Sequence, residues 1–382
     1  MANPVKSGID RVVENPALLD DLRYGMVTAA HARTLDGRSS RACIAEIKNL
    51  VSLFGPEHGL EGVAAAGDSV GHSVDSLTGL PVYSLYKSHS DTSMSTDALT
   101  DIDAFIYDLP DLGTRFFTYI ATCLQLIDIA AEHQKKLYIL DRPNPLGGEI
   151  IEGITLDTDH FSFVGPYTLP VRYGLTVGEL AKLYIAEKNI TIDLEIITCD
   201  GWKRSQLFPE TGQIFSVPSP NIPNFNAAVL YPGTCLIEGT NLSEGRGTSR
   251  PFTWFGAPWI DQEALVVELN KLEHPGIELR PQSFVPLTSK NEGKPCRGIA
   301  IEVTDPHAVR AHRFMVQAIE RIEAMYPEYF AYFALPGSKS FMDRLMGQRY
   351  QDKLIYDNFN ADEEEAVNAF RERIAAHLDY EV

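Results

Sequence analysis

The segment SLFGPEHGLEG, residues 52–62, places a carboxylate and an imidazole side by side after an apolar run. Pro56 fixes its own φ, and the flanking glycines allow an unusual backbone path. Glu57 could therefore be a positioned general acid or base, with His58 as its neighbour or as a substrate contact. An ordinary loop with two exposed polar residues is the alternative. A metal site is disfavoured, because the sequence contains no HExxH motif.

Polar side chains also end three other predicted strands, YGMVT (24–28), IDAFIYDL (102–109) and LYIL (137–140). They are Thr28, Asp108, Asp111, Arg115, Asp141, Arg142 and Asn144. Each has a simpler explanation as a cap or turn former, and Asp108 and Asp111 also suit a helix N-terminus. The functional alternatives are substrate hydroxyl binding, a carboxylate that acts with Glu57, or a sugar- or carboxylate-binding loop around Arg142. Because ligands bind beyond the carboxyl ends of parallel strands, their joint placement suggests a site.

Charged and small residues alternate with unusual density in the segment 231–260. Its polar members are Glu238, Asn241, Glu244, Arg246 and Arg250, and three large aromatic residues follow them at 254, 255 and 259. A solvated loop is one interpretation, and aromatic packing between domains is another. A carbohydrate pocket fits better, because sugars present apolar faces and hydroxyl edges.

Composition excludes several function classes. The 382 residues carry a formal net charge of −19, which argues against nucleic acid or an anionic membrane as the main partner. The five cysteines form no CxxC pair, and we expect reduced, buried thiols in a cytoplasmic protein. No apolar leader is visible at the N-terminus, and no apolar run is long enough to span a bilayer. GxGxxG, GxxxxGK[ST] and GxSxG are all absent, so we expect no cofactor.

Strands alternate with helices through the first half of the chain, which predicts an α/β fold with a parallel sheet. Helices are expected at 38–49 and 116–134. The sequence TVGE (176–179) fits a capping box that opens another helix. Residues 191–198 and 298–305 alternate as strands, and the tail 340–382 is predicted to be helical. We place the domain boundary between a domain 1–165 and a second domain 166–382.

Six long motifs, in order along the chain, resemble those of the DUF1343 family. They are SLFGPEHGLEG, GLPVYSLY, DLGTRFFTY, LDRPNPLGGEIIEG, PSPNIP and YPGTCLIEGTNLSEGRGTSRPF. Characterised members of this family are NamZ-like exo-β-N-acetylmuramidases of glycoside hydrolase family GH171. The resemblance covers roughly residues 8–350. It implies a Rossmann-like N-terminal domain, a smaller α/β C-terminal domain and an active site in the cleft between them.

The resemblance also implies a reaction, the release of terminal β-linked N-acetylmuramic acid from peptidoglycan-derived glycans. Glu57 would be the leading catalytic carboxylate, and the 2-acetamido group could act as internal nucleophile. Asp108 or Asp111 is then a candidate to orient that group, and Tyr119 is expected among the substrate contacts. The lactyl carboxylate of N-acetylmuramic acid is expected to bind a cationic side chain. The candidates are Arg115, Arg142, Arg246 and Arg250.

The sequence departs from the family pattern at Ala29, Pro110 and Tyr173, where an Asn, a Gln and a His are usual. These changes put substrate specificity in doubt. The alternatives are a non-catalytic muropeptide-binding protein, a glycosidase with altered amino-sugar specificity and, from another class, a metal- or phosphate-dependent enzyme. The expected partner is a small carbohydrate taken up in cell-wall recycling, without membrane insertion, and the expected state is a monomer or a homodimer.

Overall fold

A computed structural model describes residues 3–56, 59–61, 73–85, 96–272, 274–333, 340–348 and 359–381. Glu57 and His58 lie outside the described residues, so the roles expected of them stay predictions. Within these ranges, no helix has the length and apolar character that crossing a bilayer requires.

The first unit is built on a seven-stranded sheet. Its strands are β1 (Arg23–Thr28), β2 (Asn49–Gly55), β3 (Ser73–Val74), β4 (Pro81–Ser84), β5 (Ala104–Asp108), β6 (Lys136–Leu140) and β7 (Leu194–Ile197). The order is β3-β4-β2-β1-β5-β6-β7, and every neighbouring pair is parallel except β3 with β4. The chain runs outwards to β2 on one side of β1 and to β6 and β7 on the other. The strand order therefore reverses between β1 and β5, where such sheets bind ligands.

Helices cover both faces of this sheet. They are α1 (Gly8–Glu14), α2 (Ser40–Ile47), α3 (Thr96–Thr100), α4 (Tyr119–Glu132) and α5 (Val177–Lys188). Met26 and Ile106 pack with Ile44 of α2, whereas Val27 and Phe105 belong to the core that contains α4 and α5. Because both faces are buried, the central strands are nearly continuous apolar runs.

The second unit has a three-stranded antiparallel sheet of β8 (Trp254–Ala257), β9 (Ile277–Phe284) and β10 (Cys296–Val303), with β10 in the centre. Its helices are α6 (Phe225–Thr234), α7 (Gln262–Leu269), α8 (Ala311–Met325), α9 (Phe341–Met346) and α10 (Phe359–Ile374). Helix α6 packs closely against the start of α8, since a Cβ at Gly233 would lie 1.9 Å from the carbonyl oxygen of Ala311. Only glycine allows this approach.

The C-terminal residues return to the first unit. The Oε1 atom of Glu363 accepts a hydrogen bond from the Gly153 amide at 2.7 Å. The phenol of Tyr380 donates to Asp141 Oδ2 at 2.5 Å, and its ring packs edge-on against Trp202. The end of the chain thus stabilises the carboxyl end of β6.

The α/β fold class is confirmed, and so are the predicted strands and helices of the first half, with ends shifted by a few residues. The capping box is confirmed: Thr176 Oγ1 accepts from the Glu179 amide, and the Glu179 carboxylate accepts from the Thr176 amide. All five cysteines are buried and free. The domain boundary at residue 165 stays a prediction, although β7 joins the first sheet from a position beyond it.

One expectation needs correction. A solvated loop was one interpretation of segment 231–260, but helix α6 extends into it as far as Thr234 and β8 forms within it. Helix α6 contains Pro232, which normally argues against a helix interior. Burial of residues 227–234 against α8 stabilises the helix, a tertiary contact that the local pattern does not reveal.

Candidate active site

The carboxyl ends of β1, β5 and β6 meet at one edge of the large sheet and border a cavity of about 250 Å³. In the register of the sheet, Thr28 pairs with Asp108 at this edge. Loops after these strands form three walls, and segment 208–218 forms the fourth. The lining residues are His31, Arg33, Thr34, Leu35, Gly37, Pro110, Asp111, Arg142, Pro143, Pro145, Phe208, Gln213, Ile214, Phe215, Ser216 and Pro218. Of the predicted site residues, Asp111 and Arg142 lie in this wall.

One wall of the cavity is apolar. Phe208 and Phe215 pack edge-on with ring centroids 5.3 Å apart, and Ile214 beside them is 75% exposed. The lining also includes the polar residues His31, Arg33 and Asp111. An apolar surface facing a few convergent polar groups is typical of sites for small ligands, including sugars.

Asp108 and Arg142 form a two-pronged ion pair at the base of the cavity. Arg142 Nε lies 2.6 Å from Asp108 Oδ1, and Arg142 Nη2 lies 3.0 Å from Oδ2. The guanidinium also donates to the carbonyl oxygen of Arg33 and to Ser40 Oγ, both at 3.1 Å. Burial by itself would lower the pKa of Arg142, but the Asp108 carboxylate outweighs it and raises that pKa. The pair therefore supports the loop after β1, and each charge already has its partner.

Asp111 has a different environment. Its Oδ2 accepts hydrogen bonds from the Gly113 amide, at 2.9 Å, and from the Tyr173 phenol. Its Oδ1 is buried and makes no hydrogen bond with any described residue. Burial raises the pKa of Asp111, and the hydrogen bonds from Tyr173 and Gly113 oppose that shift only in part. Asp111 thus lines the cavity with one oxygen anchored and one buried oxygen whose acceptor capacity no described residue uses.

The residues that bracket Glu57 lie at the same edge. Gly55 ends β2, and Gly59, with φ of +73°, donates its amide hydrogen bond to the Pro56 carbonyl at 2.9 Å. The carbonyl oxygen of Leu60 accepts from the Ala30 amide at 2.7 Å, next to His31 in the cavity wall. The chain that follows Glu57 is therefore attached, through Leu60, to the loop that lines the cavity.

Arg115 does not line the cavity. Its guanidinium is fully buried and donates to the carbonyl oxygens of Ile154, Leu169 and Leu345 at 3.3, 2.7 and 2.6 Å. Burial lowers its pKa to about 9. These contacts tie the loop after β5 to helix α9, so the structure gives Arg115 a supporting position and not a substrate-facing one.

Asn144 and Asp141 are also internal supports. Asn144 Oδ1 accepts from the Leu146 amide at 2.9 Å, and its Nδ2 donates to the Leu175 carbonyl at 2.8 Å. Asp141 Oδ1 accepts from the Gly178 amide at 2.9 Å, while Oδ2 accepts from Tyr380. Burial raises the pKa of Asp141 to about 6. Both side chains follow β6, but they point towards helix α5 and the C-terminus.

Thr28 and Tyr119 lie beside the cavity without lining it. Thr28 is fully buried, and its hydroxyl makes no hydrogen bond with a described residue. The Tyr119 ring stacks on His31, with centroids 5.7 Å apart and planes 9° from parallel. Tyr119 thereby supports one polar residue of the wall.

A second polar cluster, formed by Glu238, Glu244, Arg246 and Lys290, lies in the C-terminal unit. Arg246 Nε lies 3.0 Å from Glu238 Oε1 and 3.1 Å from Glu244 Oε1. Lys290 Nζ lies 3.1 Å from Glu244 Oε2 and donates to two backbone carbonyls. The guanidinium of Arg246 also sits over the Phe252 ring, 5.0 Å from its centroid. Predicted residues thus meet here, with Lys290 as a member that the sequence did not indicate.

Aromatic contacts link this cluster to the first unit. Phe116, in the loop after β5, meets the Tyr231 ring at 6.4 Å, and Tyr231 meets Phe252 at 4.9 Å. None of the described cluster residues lines the cavity at the sheet edge.

The remaining predicted residues of segment 231–260 serve packing. Asn241 bridges to the backbone of Tyr329 and Ala331 at 2.8 and 3.1 Å. Arg250 is exposed, with Glu302 4.0 Å away. Trp254 packs on Phe284 and Trp259 on Tyr326, and these contacts lie within the second unit and not between domains.

Sequence reasoning missed most of the cavity wall. Arg33, Gln213, Ile214 and Phe215 had no motif to mark them, and Tyr173 was noticed only as a departure from a family pattern. Among the described residues, no group of three or more His, Cys, Asp or Glu side chains is placed to hold a metal ion.

Comparison with known proteins matches both halves of the chain to one family. Residues 24–226 match the N-terminal model of the exo-β-N-acetylmuramidase NamZ, and residues 229–380 match its C-terminal model. The peptidoglycan β-N-acetylmuramidase NamZ of Bacillus subtilis (strain 168) is 41% identical over 347 residues, which are 90% of this chain and 82% of that protein.

Two crystal structures of DUF1343 family proteins from Bacteroides fragilis NCTC 9343 have the same architecture. One superposes with a TM-score of 0.90 at 30% identity and covers 100% of both chains. The other gives 0.75 at 26% identity and covers 99% of both chains.

Proposed function

Because the chain belongs to the NamZ family of exo-β-N-acetylmuramidases, we propose that it hydrolyses peptidoglycan-derived glycans and releases terminal N-acetylmuramic acid from their non-reducing ends. The observation that carries the proposal is the 41% identity, over 90% of the chain, to a peptidoglycan β-N-acetylmuramidase. The cavity supports it, because apolar and polar side chains line it together.

Glu57 is proposed as the general acid. It lies in the chain between Pro56 and Gly59, and the next residue, Leu60, is hydrogen-bonded to the loop that lines the cavity. A glycosidase must protonate the leaving glycosidic oxygen as the bond to C1 breaks. A Glu carboxyl that starts protonated can supply this proton and, once ionised, take one from the attacking water. His58 is proposed as its neighbour at the substrate.

Asp111 is proposed as the group that orients the 2-acetamido substituent. The Asp111 carboxylate accepts the amide N–H, so the acetamido carbonyl oxygen turns towards C1 and displaces the leaving group. The cyclic oxazoline that results is opened by water at C1, which restores the acetamido group and yields the free sugar. Of the two carboxylates suggested by the sequence, Asp111 is preferred, because Asp108 is already bound by Arg142 on both oxygens.

The test is sugar release from a chromogenic β-N-acetylmuramide, measured beside the matching β-N-acetylglucosaminide. Glu57→Gln is expected to lower turnover of the muramide by about 10²–10⁴-fold, because the substitution removes the transferable proton. Binding of N-acetylmuramic acid, followed by calorimetry, should persist. Glu61→Gln is the matched control, since Glu61 is 55% exposed and pairs with Arg41.

Each outcome has a clear meaning. Release that is lost in Glu57→Gln and retained in Glu61→Gln supports the proposal. Binding of the muramide without turnover by the wild-type protein would favour a non-catalytic muropeptide-binding protein. We further propose glycan fragments derived from peptidoglycan as the natural substrate, consistent with the recycling role expected from the sequence.

A further inference from the structure

A muramic acid substrate carries a carboxylate that the protein must bind. Its lactyl ether stands on C3 of the sugar, next to the acetamido group on C2, so the two substituents must contact neighbouring walls of one cavity. The protein as a whole repels an anion, since its formal net charge is −19. A local cation is therefore needed to bind the lactyl carboxylate. This inference rests on the function proposed above.

The four arginines suggested by the sequence are poorly placed for this task. Arg142 lines the cavity, but its guanidinium holds Asp108. Arg115 is buried on backbone carbonyls, and Arg246 is paired with Glu238. Arg250 is exposed but does not line the cavity.

Arg33 meets the requirement. It lines the cavity and is exposed. Its Nη1 donates to the Gly37 carbonyl at 3.1 Å, and no described carboxylate forms an ion pair with it. A guanidinium has five N–H donors, so this single contact leaves capacity for a two-pronged bond to a carboxylate.

The backbone of Arg33 is held in place. Its carbonyl oxygen accepts from Arg142 Nη1, and Arg142 is itself fixed by Asp108. The residues that follow form a tight turn, in which the Thr34 amide donates to the Arg38 carbonyl and the Gly37 amide donates to the Thr34 carbonyl, at 3.0 and 2.9 Å. The side chain of Arg33 thus starts from a supported position beside the cavity.

We propose that the Arg33 guanidinium binds the carboxylate of the substrate's lactyl group, and that Arg33 thereby determines the preference for N-acetylmuramic acid over N-acetylglucosamine. The same geometry favours a free lactyl carboxylate over one converted into an amide by a peptide. Asp111 lines the same cavity, in keeping with the adjacent positions of the lactyl and acetamido groups on the sugar.

The experiment compares the wild-type protein with Arg33→Gln and Arg38→Gln. Arg38 is a matched control, because it lies in the same turn, pairs with Asp36 and does not line the cavity. Three chromogenic substrates are used, namely the β-N-acetylmuramide, its lactyl methylamide and the β-N-acetylglucosaminide. Binding of free N-acetylmuramic acid and of N-acetylglucosamine is measured in parallel by calorimetry.

For Arg33→Gln, kcat/KM on the free-acid muramide should fall by roughly tenfold or more, whereas the values for the amide and the glucosaminide should stay close to wild type. Affinity for N-acetylmuramic acid should fall in the same proportion. Arg38→Gln should retain the wild-type preference. Selective loss on the free acid is a result that general damage to the fold would not produce.

The proposal is overturned if Arg33→Gln retains the wild-type preference for the acid, or if it lowers activity on all three substrates equally. If the wild-type protein turns over the muramide, either of these results for Arg33→Gln still leaves the muramidase function supported. Conversely, the wild-type protein could bind N-acetylmuramic acid without turning over any substrate. If Arg33→Gln then selectively lost this binding, the result would support the role of Arg33 and contradict the proposed catalysis. Absence of both binding and turnover in the wild-type protein overturns both.

Discussion

The phenol of Tyr173 donates a hydrogen bond to Oδ2 of Asp111, and both side chains are buried where β5 ends. This contact fixes one oxygen of the carboxylate, while the other, Oδ1, is buried and makes no hydrogen bond with a described residue. The hydrogen bond also favours the ionised form of Asp111, against the burial that raises its pKa.

Replacement of Tyr173 by Phe should therefore weaken catalysis without loss of the fold. We expect kcat to fall roughly three- to tenfold with a smaller change in KM, because Asp111 loses one positioning contact. The pKa of Asp111 should rise further, so the acidic limb of the kcat/KM profile should move to higher pH. A pH–rate profile of the chromogenic muramide measures both effects.

Tyr184→Phe is the control for that experiment. Tyr184 also donates its phenol to an aspartate, Asp128, at 2.9 Å, but the pair is outside the cavity. Its removal should leave the acidic limb in place. An unchanged limb in Tyr173→Phe would show that Asp111 does not act in the ionised form.

Arg142→Met should destabilise the protein by about 3–5 kcal/mol, because it leaves the fully buried Asp108 carboxylate without its partner. Addition of Asp108→Asn should recover part of this loss. Urea denaturation measures the change, and Arg38→Gln, which breaks an exposed ion pair, should change the free energy of unfolding far less. Equal effects in the two single variants would contradict the structural role of Arg142.

Asp141 should make stability depend on pH. Its pKa in the folded protein is raised to about 6 by burial, against roughly 3.9 in an unfolded chain, so the folded state binds the proton more tightly. The stabilisation is fully present below about pH 4 and is lost as pH rises through about 6. The Tm of the wild-type protein relative to that of Asp141→Asn should consequently be highest at acidic pH and should fall as the pH rises. A difference that is constant from pH 4 to 8 would refute the shift.

Lys290→Met should destabilise the second unit by about 3 kcal/mol, because buried Glu244 loses one of its two cations. The double variant with Glu244→Gln should be more stable than the sum of the two single losses predicts. A double-mutant cycle from thermal or urea unfolding measures this coupling. Strictly additive losses would mean that the two side chains do not interact.

The sequence by itself determined the fold class and the family. Continuous apolar strands such as Ala104–Asp108, alternating with amphipathic helices, can bury both faces only in a parallel sheet with helices on each side. The capping box at Thr176 was equally local, since its two hydrogen bonds span three residues. Long motifs carried the family resemblance for the same reason, because each is a continuous segment.

Only the tertiary structure decided which polar residues face the cavity. Asp108 and Asp111 are three residues apart and were equivalent in the sequence. Arg142 binds both oxygens of Asp108, whereas Tyr173 binds one oxygen of Asp111 and no described residue binds the other. Arg115 was a candidate anion ligand by its charge, but in the structure its guanidinium donates to backbone carbonyls.

Arg33 shows the converse. It has no motif, and it becomes a candidate only because the loop after β1 folds beside the ends of β5 and β6. Residue type and spacing determine local geometry, whereas ion pairing and access to a cavity depend on segments that are distant in the chain. The packing of the strands and loops therefore decides which groups pair with each charge, and these pairings could not be predicted from the sequence alone.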